Sequence, residues 1–253
     1  MIDTISDMEV AVISCQSNLQ NRIPTLKRYC YKGYPFKIFT GIGSTQYYDN
    51  QIILNAGDGY DDLKYKTIKL IEWFLTHSNK PFLVKVDDDT FIDTSNLKYL
   101  QHDYTGVLSD YNTFNRNREY YNQYIQNKCV NSQRATCKYP PLKDFTYAEG
   151  GCYTLSRDAC KSIFNEFIRC IDLPFIQEDI TIGFIASRLN IKLVDSAYNI
   201  PWYGVNKHNV SYHPCSTFHF KQLDEHKSFN SRVAICRQLL AFNRYFRTYN
   251  SLK

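Results

Sequence analysis

An apolar run that ends in three consecutive carboxylates constrains this chain more than any other stretch. Phe82-Leu-Val-Lys-Val86 is short and rich in β-branched residues, Asp87-Asp88-Asp89 follow at once, and Thr90-Phe-Ile92 turns apolar again. Such a run reads as a buried strand. Buried carboxylates are costly without a partner, so a strand that carries three of them to its tip implies positive charge waiting there. Hard oxygen donors of this kind suit Mg²⁺ or Mn²⁺, which in turn clamp substrate phosphates. The plainer alternative is a solvated acidic turn, but a surface turn needs no apolar flank on either side.

Around that strand the chain alternates between two periodicities. Val10–Ser14 and Phe36–Gly41 read as strands and Ile52–Leu54 as a third; Asn18–Tyr31 reads as a helix whose regular part starts at Pro24. Leu63, Thr67, Leu70, Ile71 and Phe74 recur at helical spacing within Asp61–His77, and a short helix is expected at Ser95–Leu100. This order predicts a largely parallel sheet covered by helices, with ligands at the carboxyl ends of its strands. From Tyr104 to Pro141 the sequence is polar and aromatic, with no assignable element, and is taken as an excursion toward an acceptor. Regular patterns return as a strand at Tyr147–Ser156, helices at Arg157–Cys170 and Glu178–Leu189, and an amphipathic tail helix at Val233–Phe246. With no repeat and no low-complexity linker, one domain over residues 1–253 is expected. Its nucleotide part would span about 8–105, its acceptor part about 106–225 and its closing helix about 230–247.

Composition narrows the class. A hydrophobic content of 43% with 22% charged residues is that of an ordinary globular protein. The net charge of +5 is scattered rather than gathered into runs, which argues against nucleic acid as a partner. The nine cysteines include no CxxC pair, so a structural zinc site is not expected. Cys129 and Cys137 flank a short polar stretch and would pair only in an oxidising lumen; free thiols are the expectation. The first residues lack the basic-then-apolar pattern of a signal peptide, and no stretch is long enough to cross a bilayer. A soluble cytoplasmic protein is therefore expected, from a microbe or large virus with an A/T-rich genome, or a Golgi lumenal one if a membrane stem was removed.

Four blocks, in order, resemble the β-1,3-glycosyltransferase superfamily, the galactosyltransferase and Fringe-like enzymes of glycosyltransferase family 31. Asp58-Gly-Tyr-Asp-Asp-Leu-Lys-Tyr-Lys-Thr67 is similar to the D-x-Y-x-N-L-x-x-K-T helix start, with Asp62 where Asn is usual. Val84-Lys-Val-Asp-Asp-Asp-Thr-Phe-Ile-Asp93 resembles the K-x-D-D-D-x-F strand end. Tyr147-Ala-Glu-Gly-Gly-Cys-Tyr-Thr-Leu-Ser156 resembles the glycine-rich Y-x-x-G-x-G/C-Y-x-L-S segment, and Gln177-Glu-Asp-Ile-Thr-Ile-Gly183 the E-D-V-x-x-G block. The family's R-x-x-I-R-x-T-W is only echoed, by Asn21-Arg22-Ile23-Pro24-Thr25, so no nucleotide contact is assigned to Arg22.

The resemblance implies a GT-A fold, in which a Rossmann-like, mostly parallel sheet flanked by helices holds a UDP-sugar through Mn²⁺ or Mg²⁺. It implies an inverting transfer to a hydroxyl of a glycan or glycoconjugate, forming a β-linkage, of β-1,3 type. Asp89 is expected as direct metal ligand, Asp87 as a further metal or ribose contact, and Asp88 nearby. His219 would complete the metal set, with His213 and His208 as competitors; neutral imidazole suits Mn²⁺. Asp179 is the expected catalytic base, taking the acceptor's proton; the alternative is that Glu178 and Asp179 only cap a helix. Glu178 is expected to orient backbone or acceptor. Gly150 and Gly151 would admit the donor sugar or acceptor close to the backbone, or merely form a turn. Asp58 and Lys66 would line the nucleotide pocket, unless Asp58 caps a helix and Lys66 is solvated. Trp202 and Tyr203 would stack on a sugar or lie in the core. Competing functions on the same residues are a non-catalytic carbohydrate-binding protein, a retaining transferase and a metal-dependent phosphohydrolase. The sugar, the acceptor and the oligomeric state are not legible.

Overall fold

The computed structural model describes residues 7–20, 22–29, 35–92, 101–116, 125–129, 144–170, 175–195, 212–213 and 217–219, with isolated positions 119, 123 and 173. Six consecutive buried positions make β1 (Met8–Ile13) an interior strand of the main sheet. Burial on both faces explains why it reads as continuously apolar rather than alternating. Its single charged residue, Glu9, is compensated by Lys37 at 2.5 Å and the Ser78 hydroxyl at 2.9 Å.

The eight-stranded sheet has the order β3-β4-β2-β1-β5-β8-β7-β9. β4 (Gln51–Ile53), β2 (Phe36–Thr40), β1 and β5 (Phe82–Asp87) run parallel, as the β/α alternation predicts. β8 (Thr146–Ser156) then enters antiparallel between β5 and β7 (Tyr104–Asp110), and β9 (Leu193–Asp195) lies parallel to β7. β3 (Gln46–Tyr48) closes the other edge as an exposed hairpin partner of β4. A second sheet pairs β6 (Thr90–Ile92) with β11 (Thr217–His219), and β11 with β10 (Tyr212–His213). The architecture is the GT-A type of α/β fold.

α1 (Ile23–Tyr29) starts one residue before Pro24, where proline's fixed φ and missing N–H cost nothing. α2 (Leu63–His77) buries Thr67, Ile68, Leu70, Ile71 and Phe74; each large apolar side chain buried in this way contributes roughly 1.5–3 kcal/mol. α2 packs against α4 (Arg157–Arg169) and α5 (Glu178–Arg188), and all three cover the sheet around β1, β5 and β8. Ser156 caps α4, its hydroxyl accepting from the Ala159 N–H at 3.1 Å. An aromatic cluster of Tyr111, Phe145, Phe175 and Phe184 fills the space beside α5, with ring centroids 4.8–6.2 Å apart.

The polar stretch beyond Tyr104 holds two elements that the pattern hid, β7 and α3 (Tyr111–Arg116). Only Tyr104, Thr105 and Gly106 of β7 are buried, too few to show a periodicity. The expected helices at Ser95–Leu100 and Val233–Phe246 lie outside the described residues, as do Cys137, Trp202, Tyr203, His208 and the side chains of His213 and His219. No helix among the described residues is long and apolar enough to cross a membrane.

Candidate active site

Parallel pairing brings the ends of three strands to one edge. Ile13 lies opposite both Phe39 and Asp87, and the Asp88 N–H donates to the Ile13 carbonyl at 3.1 Å. A pocket of about 540 Å³ opens there, a size that suits a small-molecule substrate. Asp58, Lys66, Asp87, Asp88, Asp89, Gly150, Gly151 and Asp179, drawn from distant parts of the sequence, all line it. The ninth expected residue, His219, is placed by its backbone alone, which pairs with Thr90, the residue after Asp89.

Each carboxylate of the strand tip has a different setting. Asp88 accepts from the Ser14 hydroxyl at 2.7 Å, the Asn18 amide at 2.9 Å and the Arg22 guanidinium. Burial pushes its carboxyl above the usual range, with Arg22 opposing and Asp89 adding to the rise. The Arg22 guanidinium also lies 3.9 Å from Asp89. Burial would lower its pKa, but Asp88 and Asp89 together raise it. Asp87 is half-buried and accepts from the Lys85 ammonium at 2.7 Å. Among the described residues no trio of His, Cys, Asp or Glu side chains forms a closed metal cage. The donors present fit a different kind of site. A hard divalent ion takes one or two carboxylates and completes its shell with phosphate oxygens and water; Asp87 and Asp89, which both line the pocket, are the residues that could supply the carboxylates.

Asp58 does not cap a helix: the turn at Tyr60–Asp62 starts from Gly59 without a side-chain cap. Its carboxylate instead accepts from the Gln16 N–H at 2.6 Å, the Gly41 N–H at 2.8 Å and the Lys66 ammonium at 2.5 Å. Lys66 is not solvated either; it is 2% exposed and also donates to the Ser14 carbonyl at 3.0 Å. The pair ties the loops after β1 and β2 to the start of α2. Gly41 can sit in that knot because a Cβ there would fall 2.3 Å from the Gly57 carbonyl oxygen.

The opposite wall comes from an irregular strand. Along β8, Tyr153 pairs with Gly106 but Ala148 already pairs with Leu108, so residues 149–152 bulge from the ladder. The bulge presents Glu149, Gly150 and Gly151 to the pocket, a use of bulges common beside active sites. Gly150 and Gly151 therefore lie within a strand and not in a turn. A Cβ on Gly150 would stand 3.1 Å from a Glu178 oxygen and 3.3 Å from Asp179, so this glycine makes room for the two acids.

Asp179 sits in the first turn of α5, where the helix dipole favours negative charge. One carboxylate oxygen accepts from the Ile180 N–H at 2.8 Å and the other from the Gly150 N–H at 3.1 Å. Burial pushes its carboxyl up, the Ile180 N–H and Lys85 pull it back, and Asp87 adds to the rise; the net shift is upward. Glu178, 2% exposed, accepts from Lys85 and from the Tyr153 hydroxyl at 2.7 Å. Burial raises its carboxyl too, against Lys85 and with Asp179 and Asp87.

Arg22 and Lys85 carry no role in the sequence reading, yet both belong to this site. The signal for Lys85 is its place in an apolar run, since a lysine is almost never fully buried unless paired. The signal for Arg22 was the weak echo of a family motif, too degraded to use.

Comparison with known proteins points to one family. The profile of the galactosyltransferase family matches residues 42–197. Two hydroxyproline O-galactosyltransferases of Arabidopsis thaliana are similar to the chain. GALT6 is 26% identical over 150 residues, covering 57% of this chain and 21% of that protein. GALT2 is 25% identical over 166 residues, covering 62% and 22%. The chain thus aligns with about a fifth of the length of these curated relatives. The matched segment takes in the acidic strand tip, the Asp58–Lys66 knot, the glycine bulge and Asp179, and it exceeds half of the sequence: the chain belongs to the galactosyltransferase family.

Proposed function

We propose that this protein is a divalent-cation-dependent, inverting glycosyltransferase that moves a sugar from a UDP-sugar to a hydroxyl of a glycan or glycoconjugate, forming a β-linkage of β-1,3 type. The supporting observation is that the acidic tip of β5 and Asp179 of α5 line one pocket, far apart in sequence and contributed by separate elements. Asp87 and Asp89, with His219 beside them in the second sheet, would hold Mn²⁺ or Mg²⁺. Bound there, the ion would neutralise charge developing on the departing diphosphate. The Asp58–Lys66 knot forms the floor beneath the nucleotide. Asp179, fixed by two backbone N–H groups, takes the proton from the acceptor hydroxyl as that oxygen attacks the anomeric carbon from the face opposite UDP. The bulge at Glu149–Gly151 shapes the side from which the acceptor enters.

The relatives' activity makes UDP-galactose the first donor to test, with hydroxyproline peptides beside simple sugars as acceptors. UDP release in the presence of Mn²⁺ should depend on Asp179. Asp179→Asn should lower turnover by about 10²–10⁴-fold, the usual worth of a general base, with UDP affinity nearly unchanged. An Asn variant that transfers as fast as the parent would remove Asp179 from the role.

A further inference from the structure

Lys85 is the buried centre of the site, and transfer chemistry as described above leaves it without a task. It is 1% exposed, in the middle of an apolar strand. Its ammonium donates to partners on three separate elements: Asp87 at the tip of β5, at 2.7 Å, Glu178 in the first turn of α5, and the Gly150 carbonyl in the β8 bulge. Gly150 continues the chain of contacts, because its own N–H donates to Asp179 at 3.1 Å. Glu178 is held from its other side by the Tyr153 hydroxyl at 2.7 Å. Tyr153 is the strand partner of Lys85, and its ring centroid lies 5.3 Å from the ammonium.

A charge this deep is a poor device for stability alone. An apolar residue with a neutral partner would fill the same space at similar or lower cost. What an apolar residue cannot do is hold three elements at fixed distances through directed bonds.

We propose that Lys85 is a positioning residue, setting the distance between the cation-holding tip at Asp87 and the base Asp179 through the Gly150 backbone and Glu178. The inference rests on the transferase reading above. Lys85 touches neither substrate nor proton in the reaction; it acts through the groups it holds. Misplacement by about 1 Å costs on the order of 100-fold in rate, which is the scale of effect expected.

Two variants separate positioning from stability. Lys85→Met leaves Glu178 buried without its counter-charge and should lower Tm by about 10 °C. Lys85→Met/Glu178→Gln removes both charges and should regain most of that Tm. If Lys85 positions the site, kcat of the double variant stays on the order of 100-fold below the parent, while KM for the donor stays within about threefold. Recovery of kcat together with Tm would overturn the inference and leave the transferase reading standing. A parent protein that turns over no UDP-sugar would overturn both. The double variant decides the matter even where the single one fails to fold.

Discussion

At Asp179 the chemistry and the surroundings pull in opposite directions. In the proposed role of base it must be ionised to work, yet burial and the nearby Asp87 favour the protonated form. The Ile180 and Gly150 N–H groups return part of that cost. The balance makes a carboxylate more basic than a free aspartate, which improves proton transfer near neutral pH. Because the folded-state pKa is raised, activity is present above it and lost as pH falls through it. The inflection in kcat/KM should therefore lie above the ordinary aspartate value of about 3.9. Stability runs the other way: the folded protein binds this proton more tightly than the unfolded chain, so the contribution is full below the ordinary value and fades as pH rises through the folded one. A pH profile of kcat/KM with its acid limb at or below the ordinary value would contradict the assignment. At this scale the sequence singled out eight residues that line one pocket, but not how each is held there. For Asp58 the sequence left a pocket role and a helix cap both open, because a helical pattern begins at Asp61 just after it. Its actual partners, Gln16, Gly41 and Lys66, include two that no local pattern can reveal.

Helix α5 carries Asp179 to the pocket only because it lies flat against β8. A Cβ on Gly183 would fall 2.2 Å from the Tyr147 Cβ, closer than any real contact. Gly183→Ala must push helix and strand apart, an overpacking cost of about 1–3 kcal/mol. Each kcal/mol corresponds to a loss of about 2–4 °C in Tm for a domain of this size. Thermal unfolding checks this directly, and an unchanged Tm would show that the contact is not tight. Elements with a continuous apolar run or a long helical period were the legible ones: Phe82–Val86 is of the first kind and Asp61–His77, Arg157–Cys170 and Glu178–Leu189 of the second, and all differ from the observed elements only at their ends. β3 and β9 escaped because edge strands of three residues bury too little to show alternation. The β8 bulge escaped for another reason. It is a mismatch between two strands, and neither strand carries the register of its partner in its own sequence.

Across the whole molecule the modest positive charge misleads about the site. The pocket is lined by seven carboxylates, Asp58, Asp87, Asp88, Asp89, Glu149, Glu178 and Asp179, against two cationic side chains, Arg22 and Lys66. Those two are engaged with Asp88 and Asp58, and Lys85 behind the wall is shared between Asp87 and Glu178. The +5 of the chain is therefore spread elsewhere, and the cavity that should receive a diphosphate is itself negative. An anionic ligand entering it faces repulsion that low-dielectric walls strengthen rather than screen. A divalent cation held by the acidic strand tip would reverse that sign where the phosphates would lie; the backbone of His219 in β11 pairs with Thr90, next to that tip. Binding of UDP should thus be conditional on the metal. Titration calorimetry should show the affinity for UDP falling by at least about tenfold, or 1.4 kcal/mol, when Mn²⁺ is replaced by EDTA. The dependence should weaken in Asp89→Asn, which removes one negative charge and one ligand together. Tight binding of UDP in EDTA by the parent protein would mean that Arg22 and Lys66 alone neutralise the phosphates, and the cation would lose its place in the mechanism.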